Sequence, residues 1–186
     1  MGKGTGDLNI RANVNSIIFS EIYSIEDCIY YTPTHSINSN KYSTQVTPQL
    51  EYLSDFKVEC DFKSTLPHSV RLWIVNGTLS DTVSSVSASN YLLGLGFTGA
   101  KTINSYISTG SSETYGTASS FTVSTNTDYH FELIKQGTTG TAIYEDTTSW
   151  NGNLNTKSWS TFRLGLMNAN NTYQTITLTN LKIKQL

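Results

Sequence analysis

Alternating apolar and charged positions define the clearest element of the chain. The segment 55–63 places an apolar residue at every second position, the apolar row being Phe56, Val58, Cys60 and Phe62. A period of two belongs to a β-strand, whose successive side chains point to opposite faces. The pattern therefore predicts a strand with this row in the core and with Lys57, Glu59 and Asp61 exposed to solvent.

A second strand is predicted over 69–75, just before the turn-forming pair Asn76-Gly77. One face of this strand carries Val70, Leu72 and Ile74, and the other carries Arg71, Trp73 and Val75. If the row Val70, Leu72 and Ile74 faces the core, Trp73 points away from the core. Because both rows are rich in apolar residues, the opposite phase, with Trp73 in the core, remains open.

Short apolar segments separated by turn residues continue along the chain and predict strands over 91–97, 102–108, 128–136, 141–146, 161–167 and 173–186. Gly94 and Gly96 indicate either a close approach to one strand face or a bulge. One or two helical turns are predicted over 20–28. So many short strands favour an all-β fold, a two-sheet antiparallel jelly-roll sandwich over 13–186, preceded by a Gly-rich flexible arm over 1–12.

Composition limits the kinds of partner and of location that are expected for the protein. Charged residues make up 14% of the chain and the formal net charge is −2, so no basic surface is expected for nucleic acid or for an anionic membrane. The abundant Ser, Thr and Asn suit an extracellular, cell-surface or virion setting, although they also fill strands and turns of any β protein. No apolar run of the signal-peptide type is present.

The two cysteines, Cys28 and Cys60, are too few for a disulfide scaffold. Cys60 falls in the apolar row of the first predicted strand, so the prediction is a buried free thiol, with a Cys28–Cys60 bridge as the alternative. The three histidines, His35, His68 and His130, lie in separate segments without metal-ligand spacing. We therefore predict no metal site and no cofactor.

Three segments together resemble the concanavalin A-like lectin and glucanase superfamily, which includes laminin G-like modules. They are DFKVECDFK, the run TDYHFELIKQGTTGTAIYED over 127–146, and the ending TFRLGLMNAN followed by ITLTNLKIKQL. The resemblance covers the chain from about Val14 onward. It implies a jelly-roll sandwich and a carbohydrate ligand, and leaves open an isolated calcium site of the laminin G type.

The catalytic motif of the glucanases in that superfamily is incomplete in this chain. The motif is Glu-x-Asp-x-x-Glu, in which the last carboxylate is the general acid. Glu59-Cys60-Asp61 is the nearest match, and Ser64 stands where the acid is required. The resemblance therefore implies a member that is not an enzyme.

Two functions are consistent with these observations. The first is a non-catalytic carbohydrate-binding or receptor-binding module of a virus or phage particle or of an adhesin. Its candidate ligand-binding residues are Arg71, Trp73, Tyr91, Tyr106, Trp150 and Trp159, since aromatic rings stack on sugars and guanidinium groups donate hydrogen bonds. The alternative is a structural component, assembled with particle neighbours or as a homo-oligomer through sandwich faces and the arm. For each tryptophan, core packing is the competing interpretation.

Overall fold

The computed structural model describes residues 22–25, 28–32, 43–46, 50–51, 55–65, 69–79, 87–99, 101–109, 112–118, 122–154, 159, 161–168 and 174–186. The predicted arm over 1–12, the segment 13–21, His35 and His68 lie outside these ranges. The boundary between arm and domain therefore stays a prediction.

The described residues form fourteen β-strands in chain order. They are β1 Ile22–Ile25, β2 Cys28–Thr32, β3 Ser43–Val46, β4 Leu50–Glu51, β5 Phe56–Ser64, β6 Val70–Asn76, β7 Tyr91–Gly99, β8 Thr102–Ser108, β9 Glu113–Ala118, β10 Tyr129–Gln136, β11 Thr139–Tyr144, β12 Thr148–Asn153, β13 Thr161–Asn168 and β14 Gln174–Gln185.

These strands make two antiparallel sheets that pack face to face. Sheet I has the order β1-β14-β5-β10-β11-β12, with β2 also paired to β14, and sheet II has the order β3-β13-β6-β7-β8-β9, with β4 also paired to β13. The predicted all-β, two-sheet antiparallel jelly-roll sandwich is confirmed. The part of the chain described by the structure contains no helix, and so none that could cross a membrane.

The core lies between the sheets, and the period-two row of β5 supplies part of it. Phe56, Val58, Cys60 and Phe62 are all buried, as predicted. Phe62 stacks on Phe131 of β10 with ring centroids 4.9 Å apart. Cys60 is a free thiol, and burial raises its pKa, so it packs as a small apolar residue.

The opposite row of β5 differs from its prediction. Lys57, Glu59 and Asp61 face outward, but they are half-buried rather than exposed. They are half-buried because charged side chains on β10 and β14 lie directly beside them in the antiparallel register. The pattern of a single strand predicts which face of the sheet a residue is on, but not how much the side chains of neighbouring strands cover it.

Two other segments differ from the prediction. The helical turns predicted over 20–28 are replaced by β1 and the start of β2, both paired with β14, where Ile and Tyr residues favour strands. The segment 148–153, where no strand was predicted, forms β12 alongside β11. The last strand, β14, has an irregularity in its pairing with β5 between Thr179 and Lys182.

Candidate functional site

The outer face of sheet II carries an aromatic and cationic cluster, formed by Arg71, Trp73, Tyr91 and Tyr106. The Trp73 ring centroid lies 4.3 Å from that of Tyr91 and 4.8 Å from that of Tyr106. The Arg71 guanidinium carbon lies 4.6 Å from the Tyr106 centroid and 5.8 Å from the Trp73 centroid. Four of the six predicted site residues are thus in one place, and we call this group the aromatic cluster.

Strand phase and two glycines explain how the cluster is assembled. Arg71 and Trp73 occupy the row of β6 that points away from the core, as predicted. Their register partners on β7 are Gly96 and Gly94, respectively. A Cβ atom on Gly94 would stand 2.5 Å from Trp73 Cε3, and one on Gly96 would stand 2.6 Å from Arg71 Cγ. Both side chains therefore lie across β7, which brings them to Tyr106 on β8.

The cluster is covered rather than open. Only 2% of the Trp73 surface is accessible, and Tyr91 and Tyr106 are also buried. Leu79 and Ala88, from the connection between β6 and β7, pack against the rings, and Ser108 Oγ donates a hydrogen bond to the Ala88 carbonyl. The sugar-binding hypothesis required an accessible Trp73, and this conformation of the protein does not provide one.

Among the residues that the structure describes, three buried polar atoms on this face have no hydrogen-bond partner. They are Arg71 Nε, Trp73 Nε1 and Asn104 Oδ1. Asn104 lies two residues before Tyr106 on β8, and its register partner Gly96 is also that of Arg71. Sequence reasoning missed Asn104, although its period-two spacing from Tyr106 places both on one face. An unpaired buried polar atom costs about 1–3 kcal/mol, so the three atoms together are a notable feature of this face.

The remaining two predicted site residues lie elsewhere. Trp150 on β12 points inward, opposite Ala142, and approaches Gly116 of β9. Trp150 and Trp159 are both half-buried and pack against the main core. For these two residues the competing interpretation, core packing, agrees with the structure, because β12 turns Trp150 toward the opposite sheet.

The outer face of sheet I carries charged side chains on β5, β10 and β14. Lys57 Nζ lies 2.6 Å from a Glu59 carboxylate oxygen and 2.7 Å from one of Glu132, and Lys182 Nζ lies 3.2 Å from Glu59. Hydrogen bonding from Lys57 is the main reason that the pKa of Glu59 is lowered. These contacts join β5, β10 and β14 across the face.

His130 lies on the same face among three carboxylates. Its Nδ1 is 3.1 Å from Asp61 Oδ1, and its Nε2 is 3.4 Å from Glu132 Oε1 and 3.9 Å from Asp146 Oδ1. Burial alone would lower the pKa of His130, but the hydrogen bonds to Asp61 and Glu132 outweigh burial and raise it. Sequence reasoning treated His130 as an isolated histidine, because Asp61 is distant in the chain and only the strand register makes them neighbours.

Glu59 and Asp61 were the nearest match to a glycosidase motif, and their environment does not suit an acid catalyst. Burial alone would raise the pKa of Asp61, but hydrogen bonds from Asn180 and His130 lower it. The pKa of Glu59 is lowered as well. A general acid of the glycosidase type needs a raised carboxyl pKa, so neither group fits that role.

Comparison with known proteins identifies the fold. No protein-family model matches the chain, and no curated protein matches it. Among solved structures, family 7 alginate lyase A1-II′ in complex with product matches with a TM-score of 0.57 at 10% identity, over 90% of this chain and 84% of that one. Another structure of that lyase matches over 64% of its own length.

Two further structures have similar TM-scores. The VIP36 exoplasmic/lumenal domain, in its Ca²⁺- and Man-bound form, matches with a TM-score of 0.57 at 11% identity, over 89% of this chain and 83% of that one. The Emp47p carbohydrate recognition domain matches with a TM-score of 0.56 at 10% identity, over 89% of this chain and 97% of that one. Likeness at such low identity establishes the fold and leaves the function to the chemistry of the site.

Proposed function

We propose that this chain, which has the concanavalin A-like jelly-roll fold, is a non-catalytic module that binds carbohydrate at the aromatic cluster on the outer face of sheet II. The observation that carries the proposal is the set of three buried, unpaired polar atoms, Arg71 Nε, Trp73 Nε1 and Asn104 Oδ1, beside stacked aromatic rings. Such groups are rare in folded proteins, and where they occur they call for an explanation.

A saccharide matches the chemistry of these groups. Its hydroxyl groups both donate and accept hydrogen bonds, so they can accept from Arg71 Nε and Trp73 Nε1 and donate to Asn104 Oδ1. Its apolar ring faces can pack on the Trp73 and Tyr106 rings. Neighbouring structures named for alginate lyase, VIP36 and a carbohydrate recognition domain support a carbohydrate ligand for this fold.

Binding requires that the cover over the cluster be displaced. The described part of the cover is small, because Leu79 and Ala88 are the residues that pack on the rings. In the proposal, the sugar replaces these two side chains and supplies hydrogen bonds that an apolar cover does not. A role in receptor binding by a particle or an adhesin would use the same site, and we propose it as the setting.

The test is a glycan array followed by calorimetry on the best ligand. We expect Arg71→Met to weaken binding by about tenfold or more, since a hydrogen bond from a charged group contributes about 1.5–3 kcal/mol. Methionine keeps the aliphatic stem that crosses Gly96 and removes only the guanidinium. Lys184→Met is the matched control, because Lys184 is an exposed cation on the outer face of sheet I.

Two outcomes would contradict the proposal. If Arg71→Met binds as tightly as the original chain, or if no glycan binds at all, the aromatic cluster is not a carbohydrate site. Incubation with alginate tests the non-catalytic part separately. Release of unsaturated uronate ends from alginate would show a lyase, and would leave carbohydrate recognition itself intact.

A further inference from the structure

We propose that His130, Glu132 and Asp146 form a binding site for a transition-metal dication such as Zn²⁺ on the outer face of sheet I. The candidate donor atoms, one from each residue, all lie within 4.8 Å of one another. The site is on the opposite sheet from the aromatic cluster, so it is independent of the proposed carbohydrate function.

The separations between donor atoms are close to those that zinc requires. In a tetrahedral site with bonds of about 2.0–2.2 Å, neighbouring donor atoms lie about 3.3–3.6 Å apart. His130 Nε2 lies 3.4 Å from Glu132 Oε1 and 3.9 Å from Asp146 Oδ1. The Asp146 side chain, whose surface is 77% exposed, can move inward to shorten the longer separation.

Residues behind the histidine hold it in the orientation that a metal ligand needs. Nδ1 of His130 faces Asp61 Oδ1 at 3.1 Å, which leaves Nε2 directed at the other two donors. Asn180 Nδ2 in turn donates to Asp61 Oδ2 over 2.6 Å. A carboxylate on the far nitrogen of a histidine is the usual outer-shell arrangement at protein metal sites, where it fixes the ring and makes its other nitrogen a better ligand.

The turn between β11 and β12 presents Asp146 and is fastened to His130. Glu145 N donates to the His130 carbonyl over 2.9 Å, and the Glu145 carboxylate accepts from His130 N. Glu145 and Asp146 both adopt left-handed backbone conformations, with φ of 52° and 53°. These reciprocal hydrogen bonds hold the turn that carries Asp146 beside His130.

The charge balance around the site favours a dication. Asp61, Glu132 and Asp146 lie beside the His130 imidazole, Glu145 accepts from its backbone N, and Glu59 is the register partner of Glu132. Among the described residues, the lysines paired with them are Lys57 and Lys182. Lys57 can release Glu132 to a metal ion because Glu59 remains its partner at 2.6 Å. The imidazole donor selects zinc and its neighbours over calcium, which prefers oxygen ligands throughout.

The experiment is calorimetric titration of the metal-free chain with Zn²⁺ alone, with Ca²⁺ as the comparison. We expect a single class of Zn²⁺ site and binding at least about tenfold weaker in His130→Gln. Asp146→Asn, at an exposed turn position, is the second variant and should also weaken binding. His68→Gln is the matched control for a histidine elsewhere in the chain. Co²⁺ should give the visible spectrum of a tetrahedral site in the original chain.

The proposal is overturned if the original chain does not bind Zn²⁺, or if both His130→Gln and Asp146→Asn bind it as tightly as the original chain. Ca²⁺ binding that equals Zn²⁺ binding would also overturn it, because an imidazole ligand would then have no role. If His130→Gln does not fold, Asp146→Asn alone decides between these outcomes.

Discussion

The two outer faces of the sandwich satisfy their polar groups in opposite ways. On sheet I, Lys57, Glu59 and Glu132 are linked by contacts of 2.6–2.7 Å, and His130 faces Asp61. On the outer face of sheet II, aromatic rings take the place of the paired charges. There, buried polar atoms of Arg71, Trp73 and Asn104 have no hydrogen-bond partner among the described residues. Both sheets are antiparallel, so the difference between their outer faces lies in the side chains.

This contrast distinguishes a face whose polar groups are largely paired from a face that is suited to binding a ligand. Among the described residues of sheet I, Lys57 and Lys182 are paired with Glu59 and Glu132, while the histidine corner still offers ligand atoms. The aromatic cluster gains free energy from apolar burial while bearing about 1–3 kcal/mol for each unpaired polar atom. A surface that is strongly packed and yet incomplete in its hydrogen bonding is suited to a polar ligand with apolar faces.

The largest expected effect is the loss of Trp73. Trp73→Ala should lower the free energy of unfolding by about 3–5 kcal/mol, because it removes a large buried side chain and leaves a cavity. Ile134→Ala is the matched control on the outer face of sheet I, where the residue is half-buried, and should cost about 1 kcal/mol. Urea unfolding measures both.

A Trp73→Ala variant as stable as the Ile134→Ala variant would mean that the cover packs loosely over the rings. The outer face of sheet II would then be as open as that of sheet I. The same result would restore Trp73→Ala as a clean test of sugar binding, a use that full burial of the indole otherwise prevents.

The next largest effect is expected at the glycine beneath the indole. Gly94→Ala places a methyl group 2.5 Å from Trp73 Cε3, so the ring must shift, and we expect a loss of about 1–3 kcal/mol. Gly99→Ala is the control on the same strand, because a Cβ there meets nothing within 4 Å. Differential scanning calorimetry should show a lower Tm for Gly94→Ala alone. Equal Tm values would show that the indole adapts without strain.

Local pattern predicted a large part of this fold and of the aromatic cluster. The period of two in β5 gave its core row, and the phase of β6 put Arg71 and Trp73 on the outer face, with Gly94 and Gly96 indicating a close approach. These features depend on residues adjacent in the chain or on neighbouring strands. β12, rich in Thr, Ser, Asn and Gly, has no apolar row, so no strand was predicted there.

The features that could not be predicted depend on long-range register. The pairing of His130 with Asp61 joins strands whose residues are 69 positions apart, and Asn180 reaches Asp61 across 119 positions. The cover over Trp73 depends on the path of the connection between β6 and β7, which alternation of apolar residues does not encode. A pattern that only assigns residues to faces therefore cannot predict the burial of an outward-facing tryptophan.

The smallest expected effect concerns the paired charges of sheet I and depends on pH. Glu59 faces Lys57 on its own strand, Lys182 on β14 and its register partner Glu132 on β10. Its pKa is lowered in the folded protein, chiefly by hydrogen bonding from Lys57. A carboxylate of this kind stabilises the fold above its unfolded pKa of about 4.3. That contribution disappears as the pH falls through the lower, folded pKa.

Glu59→Gln should therefore be less stable than the original chain at neutral pH by up to about 1 kcal/mol, the value of a partly exposed ion pair. The difference should stay constant down to about pH 5 and then shrink toward zero in more acidic solution, as the original chain loses the Glu59 charge. Urea unfolding across this pH range, with Asp128→Asn as a control at an exposed pair with Lys63, provides the measurement. A difference that persists unchanged in acid would mean that Glu59 contributes through packing, and the paired charges of sheet I would then add no pH-dependent stability.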